Sequence, residues 1–308
     1  VEAVARAFDL GAVLDHVPVP GGASHLVWRL RTTRGTWAVK RLNRSHEQWW
    51  VDAYLVSASI QLDAWSRGLP MPRPVRPPVE SAPLLADVDG RSWLAHEWHD
   101  PVPPSPVPAW AGTTLAALHA LPAGGTPNRR PHPVDEWLTW LDEAPGPLTD
   151  AVRAHLPDIA EAVALVEACD TTALTPVRTH GDVKPDNVLH TASGPLLVDW
   201  DGAAEDHAEW EVTRSALAFA DLTDRAAFTT VVEAYESAGG RRPPADASSF
   251  AGLLLVCLGG AAWMLWRALG HRPVTPAERA AAGPHSLRLL ADLRTALASL
   301  PEWTTWLR

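Results

Sequence analysis

The chain has 308 residues, of which 46% are hydrophobic and 20% charged. That is enough apolar material for a sizeable core and too much for a broadly disordered chain. Its formal net charge of −10 argues against a broad nucleic-acid-binding surface, because phosphate backbones are met by clustered positive charge. A local nucleotide pocket is compatible with that balance.

The N-terminal VEAVARAFDL carries Glu2 and Asp9 and lacks a charged-then-apolar secretion segment, which suits a cytoplasmic protein. Up to about Trp98 the punctuation predicts short strands and turns. HLVWRL (25–30) and TWAVKRL (36–42) flank RTTRG and read as a hairpin, with PGGAS (20–24) before the first strand. QWWVDAYLVSASIQLDAW (48–65) has helical recurrences and stops before Gly68 and Pro70. LLADVDGRSWLAHEW (84–98) reads as a second hairpin turning at Asp89-Gly90. PVPPSPVP (101–108) is a stiff connection, too rich in proline for a helix or a central strand.

Beyond it the character turns helical. Helices are predicted over 110–121, 149–169, 225–239 and 277–300, with Pro157 and Gly283-Pro284 as boundaries or kinks. The uncharged run Phe250–Trp266 sits at the short edge of a membrane span, contains glycines and ends at Arg267. A buried helix is the better reading, and no membrane association is expected. Cys169 and Cys257 have no zinc or disulfide spacing and read as buried free thiols. His96 and His99 have H-x-x-H spacing without a convergent third ligand, so no metal site is expected there.

The densest polar cluster is Thr179-His180-Gly181-Asp182-Val183-Lys184-Pro185-Asp186-Asn187. A strand-like PLLVDW then delivers Asp199. In such an arrangement one carboxylate orients a hydroxyl and accepts its proton. An amide oxygen and a second carboxylate hold Mg²⁺ against nucleotide phosphates. Pro185 stiffens the loop that carries them. Lys40 lies in the strand-like TWAVKRL. It and Lys184 are the only lysines among 26 basic residues, so both retained lysines fall beside the candidate chemistry.

HGDVKPDNVL followed by VDWDG resembles the catalytic and metal-binding segments of the aminoglycoside phosphotransferase-like kinases, a family that includes choline kinase-type enzymes. The resemblance implies an α+β, bilobal protein-kinase-like fold. Residues 1–98 would form a small strand-rich, nucleotide-clamping lobe. A hinge would lie near 96–108, and residues 109–308 would form a large, mainly helical lobe with the acceptor site. It also implies site roles: Asp182 as base, Asn187 and Asp199 as Mg²⁺ ligands, and His180 supporting the loop; the K-P-x-N form, which resembles the protein kinases rather than many members of this family, sets Lys184 against the transferring phosphate. Lys40 would meet the α- and β-phosphates, Gly21, Gly22 and Ser24 would cover them, and Glu97 and Trp98 would lie at the hinge where adenine is read.

The acid that pairs with Lys40 is displaced. Counting back from GLPMP (68–72) places Ser57 at the family's position, and Glu47 is preferred slightly over Asp52 as its replacement. Glu211 takes the place of an acid that ties down the catalytic loop, and His119 reads as structural. Asp201 either assists the metal or turns the chain, while Asp186 is a turn-former. Asp135, Glu136, Asp142, Glu143, Glu205, Asp206 and Glu209 suit a cationic acceptor, and Trp137, Trp140 and Trp210 a stacked one.

The expected reaction is ATP- or GTP-dependent, Mg²⁺-dependent phosphorylation of a small-molecule hydroxyl, with aminoglycosides or other antibiotics among the candidate acceptors. The protein would act as a monomer or weak homodimer without nucleic acid. The competing readings are a protein serine/threonine kinase, a sugar, amino-alcohol or nucleoside kinase, and a non-catalytic nucleotide-binding pseudokinase.

Overall fold

The computed structural model describes residues 1–20, 26–42, 48–78, 83–127, 129–272 and 275–308. A short helix α1 (Glu2–Ala7) leads into strand β1 (Val13–Val19), followed by β2 (Leu26–Thr32) and β3 (Gly35–Arg41). Helix α2 (Gln48–Ser66) separates these from β4 (Ala86–Val88) and β5 (Arg91–Glu97). The five strands form one antiparallel sheet in the order β1-β2-β3-β5-β4. Asp89 and Gly90 both take positive φ in the β4–β5 turn, the twist-matched hairpin geometry expected of Asp-Gly. The sequence reading missed α1 and β1: Leu14, Asp15, His16 and Val17 are all exposed, so the edge strand carries no buried alternation to announce it.

Alternation along the inner strands assigns their two faces. Leu30, Trp37, Val39, Trp93 and Ala95 join Val4, Ala5 and Phe8 in a core under α1. Ala38, Lys40, Leu94 and His96, one residue out of phase, line a cavity on the opposite face. Helix α2 serves two cores. Tyr54 and Ala58 pack with Leu42, Leu84 and Leu94 near the sheet, while Ile60 and Ala64 belong to the large helical core. An ion pair between Asp63 and Arg178 adds a polar tie from α2 to the helical region.

The helical region comprises α3 (Pro108–His119), α4 (Val134–Glu143), α5 (Pro147–Arg153) and α6 (Leu156–Glu167), then α7 (Ala208–Phe219), α8 (Arg225–Ser237), α9 (Ala251–Leu269) and α10 (Pro276–Trp306). Between α6 and α7 lie β6 (Pro176–Thr179), β7 (Val188–Thr191), β8 (Gly194–Leu197) and β9 (Ala204–His207), paired as two antiparallel ribbons, β6-β9 and β7-β8. The predicted helix over 149–169 is two helices that break at Ala154-His155, with Pro157 in the first turn of α6, where its missing N–H costs little. Gly283-Pro284 does not end α10, which starts on a Thr275–Glu278 capping box. Burial of Leu290, Leu293, Leu297 and Leu300 in the core outweighs the backbone bond that a mid-helix proline removes.

Helix α9 is long and apolar enough to cross a membrane by length and composition. Leu254, Leu258, Ala261 and Leu265 are instead buried in the helical core. At its end, Arg272 lies over the rings of Trp49, Trp263 and Trp266, a cation–π cluster that reaches the start of α2. Cys257 is buried and Cys169 half-buried, and both are free thiols.

Candidate active site

A cavity of about 700 Å³ separates the sheet from the helical region. Val19, Val27, Ala38, Leu94, Leu189 and Val198 supply apolar walls, and Lys40, Asp182, Lys184, Asn187, Asp199 and Asp201 gather at its polar end. Apolar walls beside a cluster of charged groups suit a base-and-phosphate ligand.

The loop after β6 is positioned from beneath. Gly181 has φ +84°, and a Cβ there would lie 2.1 Å from the Gly202 carbonyl oxygen. Only glycine allows this left-handed turn and close approach. Its N–H donates to Glu211 Oε1 at 2.6 Å, and its carbonyl accepts from Arg214 Nη2 at 2.8 Å. One turn of α7 therefore holds both sides of the residue preceding Asp182. Glu211 is fully buried and also meets His119 Nε2 at 2.8 Å, while His119 Nδ1 meets the Tyr235 hydroxyl at 2.9 Å. Burial works against the Glu211 charge, but the hydrogen bond and charge of His119, then Arg214, outweigh it and hold its pKa below the ordinary range.

His180 is wholly buried. Its Nε2–H donates to the Val198 carbonyl at 3.1 Å, and Nδ1 accepts the Asp182 N–H at 3.3 Å. Burial lowers its pKa, in keeping with the neutral tautomer those partners require. Its ring packs edge-on against Trp200 at 4.7 Å. His180 thus links the loop to the strand that delivers Asp199, the support role expected of it.

Asp182 faces the cavity, with Oδ2 accepting from Asn187 Nδ2 at 2.9 Å and lying 2.8 Å from Lys184 Nζ. The same Asn187 amide donates to the Asp182 carbonyl at 2.8 Å. The short helical turn Pro185–Asn187 brings these residues together. Asp186 is exposed on that turn. With its N–H₂ end committed to Asp182, Asn187 offers an oxygen as its ligating end. Asn187 and Asp199 are hard oxygen donors on one cavity wall, a donor set that fits Mg²⁺, which takes one or two protein oxygens alongside phosphates and water.

Lys40 lies 2.6 Å from Asp199 Oδ1 and 2.7 Å from Asp201 Oδ2. Its burial opposes the charge, but Asp201 and then Asp199 outweigh it and raise the pKa. Asp52, the second choice for that pairing, is exposed and accepts from Gln48 Nε2 at 2.9 Å instead. Ser57, at the position where an acid is expected, instead donates to the Trp200 carbonyl at 2.7 Å. Glu47, Gly21, Gly22 and Ser24 lie outside the described residues; Pro20 and Val27 line the cavity.

Glu97 and Trp98, read from the sequence as hinge residues, line the cavity. Their N–H groups are committed to the carbonyls of Arg73 and Thr36, at 2.9 and 3.0 Å. The Glu97 carboxylate is 3.2 Å from Arg73 Nε. His96 bonds Gln61 at 2.8 Å, and among the described residues no group of three or more His, Cys, Asp or Glu is arranged to hold a metal.

The acids read as an acceptor surface are largely committed within the fold. Asp206 pairs with Arg129 at 2.8 Å, Glu205 accepts from Gly124 N–H at 2.8 Å and Glu209 caps Thr175 with two bonds of 2.9 Å. On the surface, Glu136 meets His132, Glu143 meets His271 and Asp142 pairs with Arg153; Asp135 is exposed at the start of α4. Trp137 and Trp210 are core residues, and Trp140 packs against Trp137 and Trp266. None of the three lines the cavity. Arg214 and Gln61 were missed. The only available signal for Arg214 was its place one helical turn after Glu211, which puts both on one face of α7.

An antiparallel sheet over a helical region, with a buried-clamped Asp–Asn loop facing a strand lysine, defines a bilobal protein-kinase-like phosphotransferase. Residues 15–253 match the model of the phosphotransferase enzyme family APH, and the chain belongs to that family. Solved structures agree in fold. An aminoglycoside phosphotransferase from Alicyclobacillus acidocaldarius is 17% identical with a TM-score of 0.54, covering 96% of this chain and 93% of its own. A spectinomycin phosphotransferase in complex with ADP and spectinomycin is 12% identical with a TM-score of 0.61, covering 92% and 94%. An ethanolamine kinase from Plasmodium vivax is 10% identical with a TM-score of 0.61, covering 91% and 81%. A comparison with curated proteins finds no match.

Proposed function

We propose that the protein transfers the γ-phosphate of ATP or GTP to a hydroxyl of a small cationic acceptor, in the amino-alcohol or aminoglycoside class. The observation that carries the reading is the convergence of Lys40, Asp182, Asn187 and Asp199 on the polar end of one cavity. The ADP in the spectinomycin enzyme supports the nucleotide assignment. The acceptor class draws on the amine-bearing substrates named for the structural relatives. If the acceptor is an antibiotic, phosphorylation would inactivate it. The reaction is placed in the cytoplasm, where nucleoside triphosphates are kept.

Asp182 orients the acceptor hydroxyl and accepts its proton as the new oxygen–phosphorus bond forms. The bond from the γ-phosphorus to the β–γ bridging oxygen breaks, and the nucleoside diphosphate departs. Lys184, 2.8 Å from that carboxylate, places a compact positive charge where the transferring group gains charge on its equatorial oxygens. Lys40 orients the phosphates from the sheet side. Asn187 and Asp199 would hold Mg²⁺, which when bound neutralises phosphate charge.

The test is γ-phosphate transfer from labelled ATP and GTP in Mg²⁺, with aminoglycosides, amino alcohols, sugars, nucleosides and a generic protein as acceptors. Asp182→Asn is expected to lower kcat by roughly 10²–10⁴-fold while ADP affinity changes little. Equal loss of transfer and ADP binding would count against the assigned role, and a protein that binds neither nucleotide would sink the reading.

A further inference from the structure

We infer that Asp201 is the positioning residue of Lys40, supplying from the turn after β8 a carboxylate that no described residue of α2 brings to it. Lys40 Nζ is 2.7 Å from Asp201 Oδ2, and the Lys40 side chain is only 16% exposed, so this contact is not a loose surface pair. Within the described part of α2, the sole acid near the helix start is Asp52, and it is exposed and turned to Gln48. Ser57 is buried instead, and its hydroxyl holds the Trp200 carbonyl at 2.7 Å. The helix therefore grips the loop through a neutral hydrogen bond, and the loop grips the lysine through charge.

Local geometry explains why two carboxylates reach one ammonium. Asp199 takes a left-handed conformation with φ 66°. Trp200, next in the chain, is 3% exposed, and its indole N–H donates to the Leu197 carbonyl at 3.2 Å. With Trp200 anchored inward, Asp199 and Asp201 meet Lys40 from either side of it. Packing around Trp200 thus holds the backbone from which both carboxylates reach Lys40.

The two acids then divide their duties. On the phosphotransferase reading, Asp199 is a Mg²⁺ ligand, so a lysine held by Asp199 alone would share its only anchor with the metal. Asp201 gives Lys40 a second anchor outside that ligand set. The inference rests on that reading only for the second duty of Asp199. The Lys40–Asp201 pairing itself is testable without nucleotide or metal.

The experiment is a double-mutant cycle on the whole protein, read as thermal unfolding in chelator. Asp201→Asn is measured in the wild-type and Lys40→Met backgrounds. Pairing predicts that the substitution costs more when Lys40 is present, by a difference of roughly 2–4 °C in Tm. Equal shifts in both backgrounds, as a turn-forming or metal-only role would give, overturn the inference.

A kinetic arm reads positioning. Asp201→Asn should raise the nucleotide KM about tenfold, a change of roughly 1.4 kcal/mol, with a much smaller change in kcat and in the Mg²⁺ concentration for half-activity. Asp201→Glu should recover most of that KM. A raised Mg²⁺ requirement with unchanged KM would make Asp201 a metal ligand and overturn the proposal. Failure of the wild type to bind nucleotide would sink the phosphotransferase reading, while the unfolding cycle would still decide the pairing.

Discussion

On the α7 side of the cleft, Gly181 is held from both directions by Glu211 and Arg214, and Glu211 is wholly buried. On the sheet side, Lys40 is held by two carboxylates that are 47% and 25% exposed. Buried polar bonds are costly to leave unmade and fix one geometry. The Asp199 carboxylate, nearly half exposed, is more screened and can leave Lys40 for another partner at small cost, while the better-covered Asp201 contact persists. The Gly181–Asn187 loop is therefore preset, whereas Asp199 can turn to an incoming ligand. That division suits a phosphotransferase, in which the base must be in place before an anionic donor and a cation are gathered.

The clamp side breaks most severely at Gly181. Gly181→Ala combines a strained φ with a Cβ 2.1 Å from the Gly202 carbonyl oxygen, and the expected loss is about 4 kcal/mol or more in urea unfolding. A loss under about 1 kcal/mol would show that the loop is not tightly preset. Next comes Glu211→Ala, which strands the Gly181 N–H, His119 and Arg214 together. Its expected cost is roughly 3–5 kcal/mol, and transfer activity should fall even at temperatures where the variant stays folded. An active, fully stable variant would contradict the clamp.

The sheet side responds to pH through His96, which lines the cavity beside Lys40. Burial first, and the Lys40 charge second, push its pKa down to about 4. Between about 4 and the unfolded value near 6.5, the unfolded chain takes up a proton that the fold refuses. His96 therefore costs stability progressively as the pH falls through that window, by roughly 3 kcal/mol in full. His96→Phe should show a correspondingly shallower stability loss than the wild type between pH 7 and pH 4 by denaturant unfolding. Parallel curves would remove His96 from the account.

Much of this was legible along the chain because its information is local. The Gly181–Asn187 loop, the aspartate after a short apolar strand and the Asp89-Gly90 hairpin each depend on residues a few positions apart. Their bonds confirm it: Asn187 to Asp182, Lys184 to Asp182 and Asp182 N–H to His180 all span five residues or fewer. The Glu211 tie was also anticipated, from its place after VDWDGAA. The break between α5 and α6 was harder to place, because helical propensity runs through Ala154-His155 without a glycine. The persistence of α10 through Pro284 was hidden for the opposite reason, since core burial overrode a local stop signal.

What the sequence determined by itself was the small sheet's inner strands, the helical character of the second part and the identity of the loop that carries Asp182. Only the tertiary structure decided that Lys40 pairs with Asp199 and Asp201 across 159 and 161 positions, that Ser57 holds Trp200, and that the acids near 205–209 serve the fold. Local spacing and periodicity record which face a residue shows. They do not record which distant group that face will meet, because a long-range ion pair needs only opposite charges and a shared place, and many acids in this chain met the first condition.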